Sequence, residues 1–345
     1  MKRLLSLLLL ALTAPPVAAE PLRVVASFSI LGDMAATVGG DRVSVRTLVG
    51  PDGDAHVYQP SPADAEALAR AGLFLANGLG FDRWADRLAA AAGYRGPIVV
   101  ASAGVTPRAF DEDDAAHGHD NHAQGAGDPD APAHETAGRD TAGHVVEEHA
   151  AEEHGAGEHG AEDHDAHDHG ALDPHAWQDI ANARIYVANI ARGLSAADPA
   201  GAATYAANAA AYDARLAAAD AEVRALLSAL PAERRVIVTS HDALGYFAAA
   251  YGLTIEAPQG LSTEAEASAA GIGALIRQIR AEHIPAVFLE NVSDPRLLDR
   301  IAAEGGARIG GTLYSDALSA ADGPAPHYID MMLHNARTIA GALAP

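Results

Sequence analysis

The sequence predicts an α/β protein with two lobes, each built on a parallel sheet flanked by helices and joined by a long rigid helix. Short β-rich runs alternate with helical patterns before residue 110, and the same alternation returns after residue 230. Strands separated by helices in this way form βαβ units and parallel sheets. A helical stripe of apolar residues between the two regions predicts the long helix.

Short apolar runs predict the strands of both lobes, because strands buried on both faces of a parallel sheet are apolar throughout. In the first lobe the predicted strands are 24–28, 43–49, 73–76 and 98–100, and the predicted helices are 30–39, 61–71 and 81–92. In the second lobe the predicted strands are 236–239, 286–289 and 307–313, and the predicted helices are 243–251, 264–282, 295–304 and 326–343.

The long helix is predicted between two prolines. Asp198-Pro199 is a start signal, with aspartate as the cap and proline in the first turn, and Pro231 ends the pattern. From Tyr205 to Leu230 the large apolar residues follow at spacings of 7, 4, 7, 3 and 4, which place them on one helix face. About 30 residues at ~1.5 Å each span roughly 45 Å, enough to run along both lobes.

The N-terminus has the pattern of a secretory signal peptide. A positive start, Met1-Lys2-Arg3, precedes an apolar stretch from Leu4 to Leu12 and a small-residue cleavage site at 17–19. The alternative, a membrane anchor, needs about 20 apolar residues. The chain contains no cysteine, so a lipid-bearing cysteine is not expected. We therefore expect a free periplasmic protein with a signal peptide at 1–19, a first lobe at 20–175, connecting helices at 176–230 and a second lobe at 231–345.

An acidic, histidine-rich insertion is predicted at 111–170. It holds 18 Asp and Glu against the single Arg139, a balance of −17 within a net charge of −23, and it contains eleven histidines. It has almost no large apolar residue, so its composition predicts disorder. Histidine-rich tracts bind metals. We expect a zinc-collecting loop, with a solvated acidic linker as the alternative. Nucleic-acid binding is excluded, since it needs a basic face.

Three other histidines lie where predicted strands end. His56 follows the second predicted strand, His175 lies just after the insertion, and His241 follows the strand at 236–239. Ligands of parallel α/β sheets bind at the carboxyl ends of the strands. A single loop histidine is more often a surface or core residue than a ligand, but three equivalent positions favour a metal site. The remaining histidines, His283, His327 and His334, are expected to have structural or surface roles.

Four motifs resemble a known family. They are Asp-Ala-His-Val-Tyr-Gln-Pro-Ser-Pro at 54–62, Asp-Pro-His-Ala-Trp at 173–177, Ser-His-Asp-Ala-Leu-Gly-Tyr-Phe at 240–247 and Glu-Asn-Val-Ser-Asp-Pro-Arg at 290–296. Together they resemble the cluster A-I solute-binding proteins of zinc and manganese ABC transporters. The resemblance implies a metal in the cleft between the lobes, held by His56, His175, His241 and Asp316. Without the resemblance, Asp316 fits a helix N-cap equally well.

The donor atoms indicate zinc as the bound ion. Three imidazoles and one carboxylate suit a tetrahedral Zn²⁺ site with distances of about 2.0–2.2 Å. Mn²⁺ prefers more oxygen ligands, and the resemblance implies that manganese-binding members tend to have glutamate at position 241. Through their second ring nitrogens the histidines are expected to meet hydrogen-bond acceptors. Candidates, which fit caps and turns equally well, are Asp54, Asp173, Asp242 and Glu290.

The predicted function is capture of periplasmic zinc and its delivery to an inner-membrane ABC permease. The predicted protein is a monomer without catalytic residues, and a periplasmic metallochaperone is a candidate second partner. Manganese binding in the same family is the alternative. A zinc hydrolase is a further alternative, but four protein ligands close the site to water, and no His-Glu-x-x-His motif is present. An adhesin-like surface protein is disfavoured by the missing cysteine.

Overall fold

Two parallel sheets of four strands each form the framework of the protein. The computed structural model describes residues 20–109, 172–264 and 266–344. The predicted signal peptide at 1–19 and the predicted insertion at 111–170 lie outside these residues. Within the described ranges, no helix combines the length and the apolarity that a membrane span requires.

The strands and helices alternate along the chain. The strands are β1 (Leu22–Phe28), β2 (Val43–Val49), β3 (Leu73–Ala76), β4 (Ile98–Val100), β5 (Val236–Val238), β6 (Thr254–Glu256), β7 (Ala286–Glu290) and β8 (Arg308–Leu313). The α-helices are α1 (Ser29–Gly39), α2 (Pro62–Ala69), α3 (Ala85–Ala91), α4 (Ile180–Ala197), α5 (Ala202–Ser228), α6 (Gly245–Tyr251), α7 (Ala269–Glu282), α8 (Pro295–Gly305) and α9 (Tyr328–Leu343). Short 3₁₀ helices lie at Gly40–Arg42, Ala176–Gln178, Pro199–Gly201 and Ala232–Arg234.

Both sheets have the same topology. Their strand orders are β2-β1-β3-β4 and β6-β5-β7-β8, and every neighbouring pair is parallel. Each sheet therefore reverses its winding direction at one point, between β1 and β3 or between β5 and β7. Ligands of such sheets bind in the crevice at this point, at the carboxyl ends of the strands. The predicted fold class is confirmed, although β6 was not predicted.

The helix α5 connects the two lobes. Its 27 residues span about 40 Å. It contacts α1 and α4 beside the first sheet and α9 beside the second. Its buried stripe includes Tyr205, Tyr212, Leu216 and Val223, all among the predicted apolar positions.

Two helices begin four or five residues later than predicted. The patterns place their starts at 81 and 264, but α3 begins at Ala85 and α7 at Ala269. Before α3, the buried Asp82 accepts hydrogen bonds from the backbone nitrogens of Asn77 and Gly78, at 2.6 and 3.1 Å, and these hold a turn. Before α7, the Ser268 hydroxyl caps the helix by accepting from Gly271 N at 3.0 Å.

A buried carboxylate organises the start of α2. Asp64 accepts hydrogen bonds from Ser61 N (2.9 Å), Ser61 Oγ (2.6 Å), Tyr58 OH (2.7 Å) and Arg46 Nη2 (3.0 Å). Burial disfavours the charged form of Asp64, but these hydrogen bonds outweigh burial and lower its pKa to about 2. The network holds the segment that leads from His56 into α2.

The apolar core has two parts. The larger part contains the first lobe, the buried face of α5 and the inner face of α9. The smaller part lies between β5, β7, α7 and α8, and it includes Val238, Ile279, Val287, Leu298 and Ile301. The outer helices of the second lobe are therefore packed separately, whereas α9 shares a core with the first lobe.

Candidate metal centre

His56 lies in the loop between β2 and α2. The Asp54 carboxylate accepts from His56 N at 2.9 Å and from Thr263 Oγ1 at 2.7 Å. Trp84 Nε1 donates to the carbonyl of Ala55 at 3.3 Å. These bonds hold the imidazole with only 6% of its side chain exposed. Asp54 thus supports the backbone of His56, and its carboxylate makes no hydrogen bond to the His56 ring.

His175 lies immediately before the 3₁₀ helix Ala176–Gln178. Asp173 Oδ1 accepts from His175 N at 2.9 Å and lies 2.8 Å from His175 Nδ1. This contact places the proton on Nδ1 and leaves Nε2 free to bind a metal. The other oxygen of Asp173 accepts from Arg108 Nη1 at 3.3 Å. Arg108 was not predicted from the sequence, because 65 residues separate it from Asp173.

His241 follows β5 and is held by the end of β7. Glu290 Oε1 accepts from the backbone nitrogens of Ser240 and His241, at 2.8 and 3.0 Å. Glu290 Oε2 lies 2.9 Å from His241 Nδ1, so His241 Nε2 is the atom left for a metal. The pair spans β5 and β7, where the second sheet reverses its winding. Asp242, the fourth sequence candidate for such a role, makes no hydrogen bond through its side chain to a histidine ring of the described ranges.

Asp316 completes the cluster from the loop after β8. Its Oδ2 lies 3.1 Å from the Nε2 atoms of His56 and His241, and its Oδ1 lies 3.6 Å from His175 Nε2. The Nε2 atoms of His56 and His175 are 3.4 Å apart. Neighbouring donors in a tetrahedral zinc site are about 3.3 Å apart, given metal–ligand distances near 2.0 Å. The structure therefore brings all four predicted residues to one point, with donor atoms within 4.8 Å of one another.

The buried charges at this point favour a cation. Burial alone would lower the pKa of His241, but the charges of Glu290 and Asp316 outweigh it and hold that pKa well above its ordinary value. Burial would raise the pKa of Asp316, but the charges of His175 and His241 hold it well below its ordinary value. Asp316 Oδ1 is buried and has no hydrogen-bond partner among the described residues. An ionised, buried, unpaired oxygen beside three imidazoles fits a bound divalent metal.

A cavity leads to the site from one side. Its volume is about 710 Å³, and of the four candidate ligands only His56 lines it. Its walls include Tyr58, Phe81, Trp84 and Arg87. His56 is therefore the candidate ligand nearest to the open cavity, while the other three are fully buried.

The remaining described histidines lie away from the cluster. His283 ends α7 with a left-handed backbone at φ 55°. His327 Nδ1 is 2.7 Å from Asp33 Oδ1, and His334 Nε2 is 3.0 Å from the carbonyl of Thr312. These positions match the structural and surface roles expected from the sequence.

Comparison with known proteins then identifies the family. The family model for the periplasmic component A of the zinc-uptake complex matches residues 24–342. The chain belongs to this family. It is 31% identical to the iron-binding protein YfeA of Yersinia pestis over 337 residues, which cover 98% of this chain and 91% of the relative. It is 29% identical to the manganese-binding lipoprotein MntA of Halalkalibacterium halodurans, over 94% of this chain and 89% of the relative.

A solved structure has the same two-lobe fold. The periplasmic zinc-binding protein TroA of Treponema pallidum matches with a TM-score of 0.74 and 26% identity, over 95% of this chain and 100% of that chain. Other relatives are named as substrate-binding lipoproteins of ABC transporters. The chain is therefore a periplasmic metal-binding component of an ABC transporter, and not an enzyme. The relatives are named for zinc, manganese or iron, so membership of the family leaves the metal open.

Proposed function

We propose that this protein captures Zn²⁺ with His56, His175, His241 and Asp316 and delivers it to an ABC permease in the inner membrane. The observation that carries the proposal is the cluster of four donor atoms within 4.8 Å. Three neutral imidazoles and one carboxylate form a closed tetrahedral set, which suits a d¹⁰ ion with no need for a bound water. Zinc is the cargo of this site, and no chemical step takes place on it.

The surroundings of the site support zinc over harder ions. The Nδ1 atoms of His175 and His241 face Asp173 and Glu290, and such contacts orient imidazoles as zinc ligands. Manganese is the second candidate, since a relative at 29% identity is named for it. Mn²⁺ prefers oxygen ligands, whereas His241, together with His56 and His175, makes nitrogen the donor at three of the four positions.

The proposal includes the route of the cargo. The signal-peptide pattern at 1–19 supports export, and relatives named for ABC transporters support a permease partner. The insertion at 111–170, with its eleven histidines, would collect zinc for the protein. A periplasmic metallochaperone stays a prediction from the sequence.

The test is a competition titration with zinc and manganese on wild type, His241→Glu, Asp316→Ala and the control His334→Ala. We expect Asp316→Ala to lose zinc affinity by at least about 100-fold, because it removes one of four ligands and leaves the neighbouring imidazoles without a counter-charge. We expect His241→Glu to shift preference towards manganese by at least about tenfold. His334→Ala should match wild type. Wild-type preference for manganese, or unchanged zinc affinity in Asp316→Ala, would contradict the proposal.

A further inference from the structure

We infer that Asp316 is fixed to His175 by the side chains of Trp177 and Gln178, so that His241 is the ligand that leaves first when the metal is released. The inference rests on the proposed metal site. By chain position the ligands divide two and two, with His241 and Asp316 both in the second lobe. The hydrogen bonds divide them differently, into three ligands and one.

Two buried side chains of the first lobe hold the backbone beside Asp316. Trp177 Nε1 and Gln178 Nε2 both donate to the carbonyl of Ser315, at 3.0 and 2.6 Å. Trp177, Gln178, Ser315 and Asp316 are all fully buried. The Trp177 ring also packs edge-on against the His175 ring, with centroids 5.3 Å apart. The segment that carries His175 therefore positions Asp316 directly.

The far end of the same loop is also tied to the first lobe. Leu318 N donates to Ser29 Oγ at 3.0 Å, and the carbonyl of Leu318 accepts from Asp52 N at 2.9 Å. Ser29 begins α1, and Asp52 lies in the loop that leads to His56. Both ends of the Asp316 loop are thus bound to the lobe that carries His56 and His175.

His241 is fastened to other partners. Its backbone nitrogen and ring lie against Glu290, at 3.0 and 2.9 Å, and its carbonyl accepts from Thr239 Oγ1 at 2.9 Å. A parallel bridge joins it to Gln259, and Asp242 N donates to the carbonyl of Gly260 at 3.1 Å. All of these partners belong to the second sheet or to the segment after β6. Within the described ranges, His241 meets Asp316 at 3.1 Å, and its ring lies edge-on to the rings of His56 and His175, with centroids 5.7 and 5.6 Å apart.

Partly exposed hydrogen bonds cross between these groups. Thr263 Oγ1 donates to Asp54 at 2.7 Å, and Arg108 N donates to Tyr246 OH at 2.8 Å. Asn291 Nδ2 donates to Asp52 at 3.1 Å and to the carbonyl of Ala317 at 3.2 Å. Exposed hydrogen bonds contribute less than buried ones, because water replaces them when they break. Displacement of the His241 loop needs these bonds to loosen, whereas displacement of Asp316 would strand the buried carbonyl of Ser315.

The consequence is an ordered release. When His241 moves away, zinc stays on His56, His175 and Asp316, with one coordination position open. An open position on zinc accepts an outside ligand, so a donor group of the receiving protein can bind before the remaining three bonds break. Trp177 and Gln178 are positioning residues in this scheme, since they act through Asp316 and do not contact the metal themselves.

Hydrogen exchange on the full-length wild-type protein tests the division of the ligands. Zinc removal should speed amide exchange at least about tenfold in peptides that cover 239–243. It should change exchange less than about twofold in peptides that cover 314–318. Equal or larger loosening of 314–318 would overturn the inference.

Paired variants test the positioning residues. Gln178→Met nearly keeps the side-chain volume, and Trp177→Phe keeps an aromatic ring of smaller size; together they remove the two donors to Ser315. In the double variant, zinc removal should loosen 314–318, and zinc release to a chelator should become about tenfold faster. The control Asn189→Leu removes a buried amide that donates to the carbonyls of Ala101 and Ala103 at 2.7 and 2.8 Å, and it should leave zinc release unchanged.

Stability and coordination are measured alongside release. The absorption spectrum of the Co²⁺-loaded double variant should differ from the spectrum of a four-coordinate site. Loss of folding stability alone would not produce this change. Unchanged release and spectrum in the double variant would overturn the role of Trp177 and Gln178. If His241→Ala and Asp316→Ala both kept wild-type zinc affinity, the proposed site itself would fail. If both variants lost zinc affinity but zinc removal changed hydrogen exchange equally in 239–243 and 314–318, the ordered release would be refuted and the proposed site would stand.

Discussion

We predict that the carboxylate of Glu290 sets the tautomer of His241, and its replacement by glutamine tests this directly. Glu290 is 3% exposed. One of its oxygens accepts from two backbone nitrogens, and the other lies 2.9 Å from His241 Nδ1. In Glu290→Gln the amide oxygen can keep the two backbone bonds, so the amide NH₂ then faces Nδ1. Because NH₂ donates, Nδ1 must accept, and the ring proton moves to Nε2, the atom that faces the metal.

The expected loss follows from that change of tautomer. Zinc binding must either displace the Nε2 proton or rotate the glutamine away from its backbone partners. Substitutions of this kind cost about 10–100-fold in metal affinity, which corresponds to about 1.4–2.8 kcal/mol. Competition with a chromophoric chelator at constant pH measures the loss. Glu66→Gln makes the same substitution at an exposed glutamate paired with Arg70, and it should match wild type.

The result that would refute the reasoning is affinity of Glu290→Gln within twofold of wild type. Such a result would mean that Glu290 is a structural cap for the Ser240–His241 backbone and does not orient the ring. Nitrogen NMR of the metal-free protein, which distinguishes the two tautomers, would separate a tautomer change from local unfolding.

Three further predictions concern pH, the insertion and stability. Zinc affinity, measured by competition titration, should fall between pH 7.5 and pH 5, because protons compete with zinc for the imidazoles. The fall should begin above pH 6.5, since the charges beside His241 hold its pKa above that ordinary value. Equal affinities at the two pH values would contradict this prediction. Deletion of 111–170 should lower zinc stoichiometry in calorimetry and leave one tight site; loss of the tight site would contradict the division of roles. The pKa of Asp64 is lowered from 3.8 to about 2, so its ionised form contributes about 2 kcal/mol above pH 4, and this contribution is lost as the pH falls through 2. Urea unfolding of Asp64→Asn should therefore show a deficit of about that size at pH 7 and almost none at pH 2.

Part of the fold was readable from the sequence because its signals are local. The apolar runs of β1, β3 and β7 and the stripe of α5 match the structure, since period and composition depend on neighbouring residues alone. The strand β6, of three residues, was missed, because Thr254–Glu256 has no run long enough to stand out and is defined by its pairing with β5. The early starts predicted for α3 and α7 were wrong because the turn held by Asp82 and the Ser268 cap override helical propensity there.

The candidate ligands show the same division. His56 and His241 were predicted from their positions after strands, His175 from its position just after the insertion, and Asp316 from the family resemblance. Ligand type and position along the chain are properties of the sequence itself. The sequence does not show which groups hold those ligands in place. The bond from Trp177 to Ser315 joins residues 138 positions apart, and its existence depends on how α5 and the two sheets pack. Residue type and spacing thus determined what can bind the metal, whereas only the tertiary structure decided which ligands move together, because hydrogen bonds between distant segments form only once the core has brought those segments into contact.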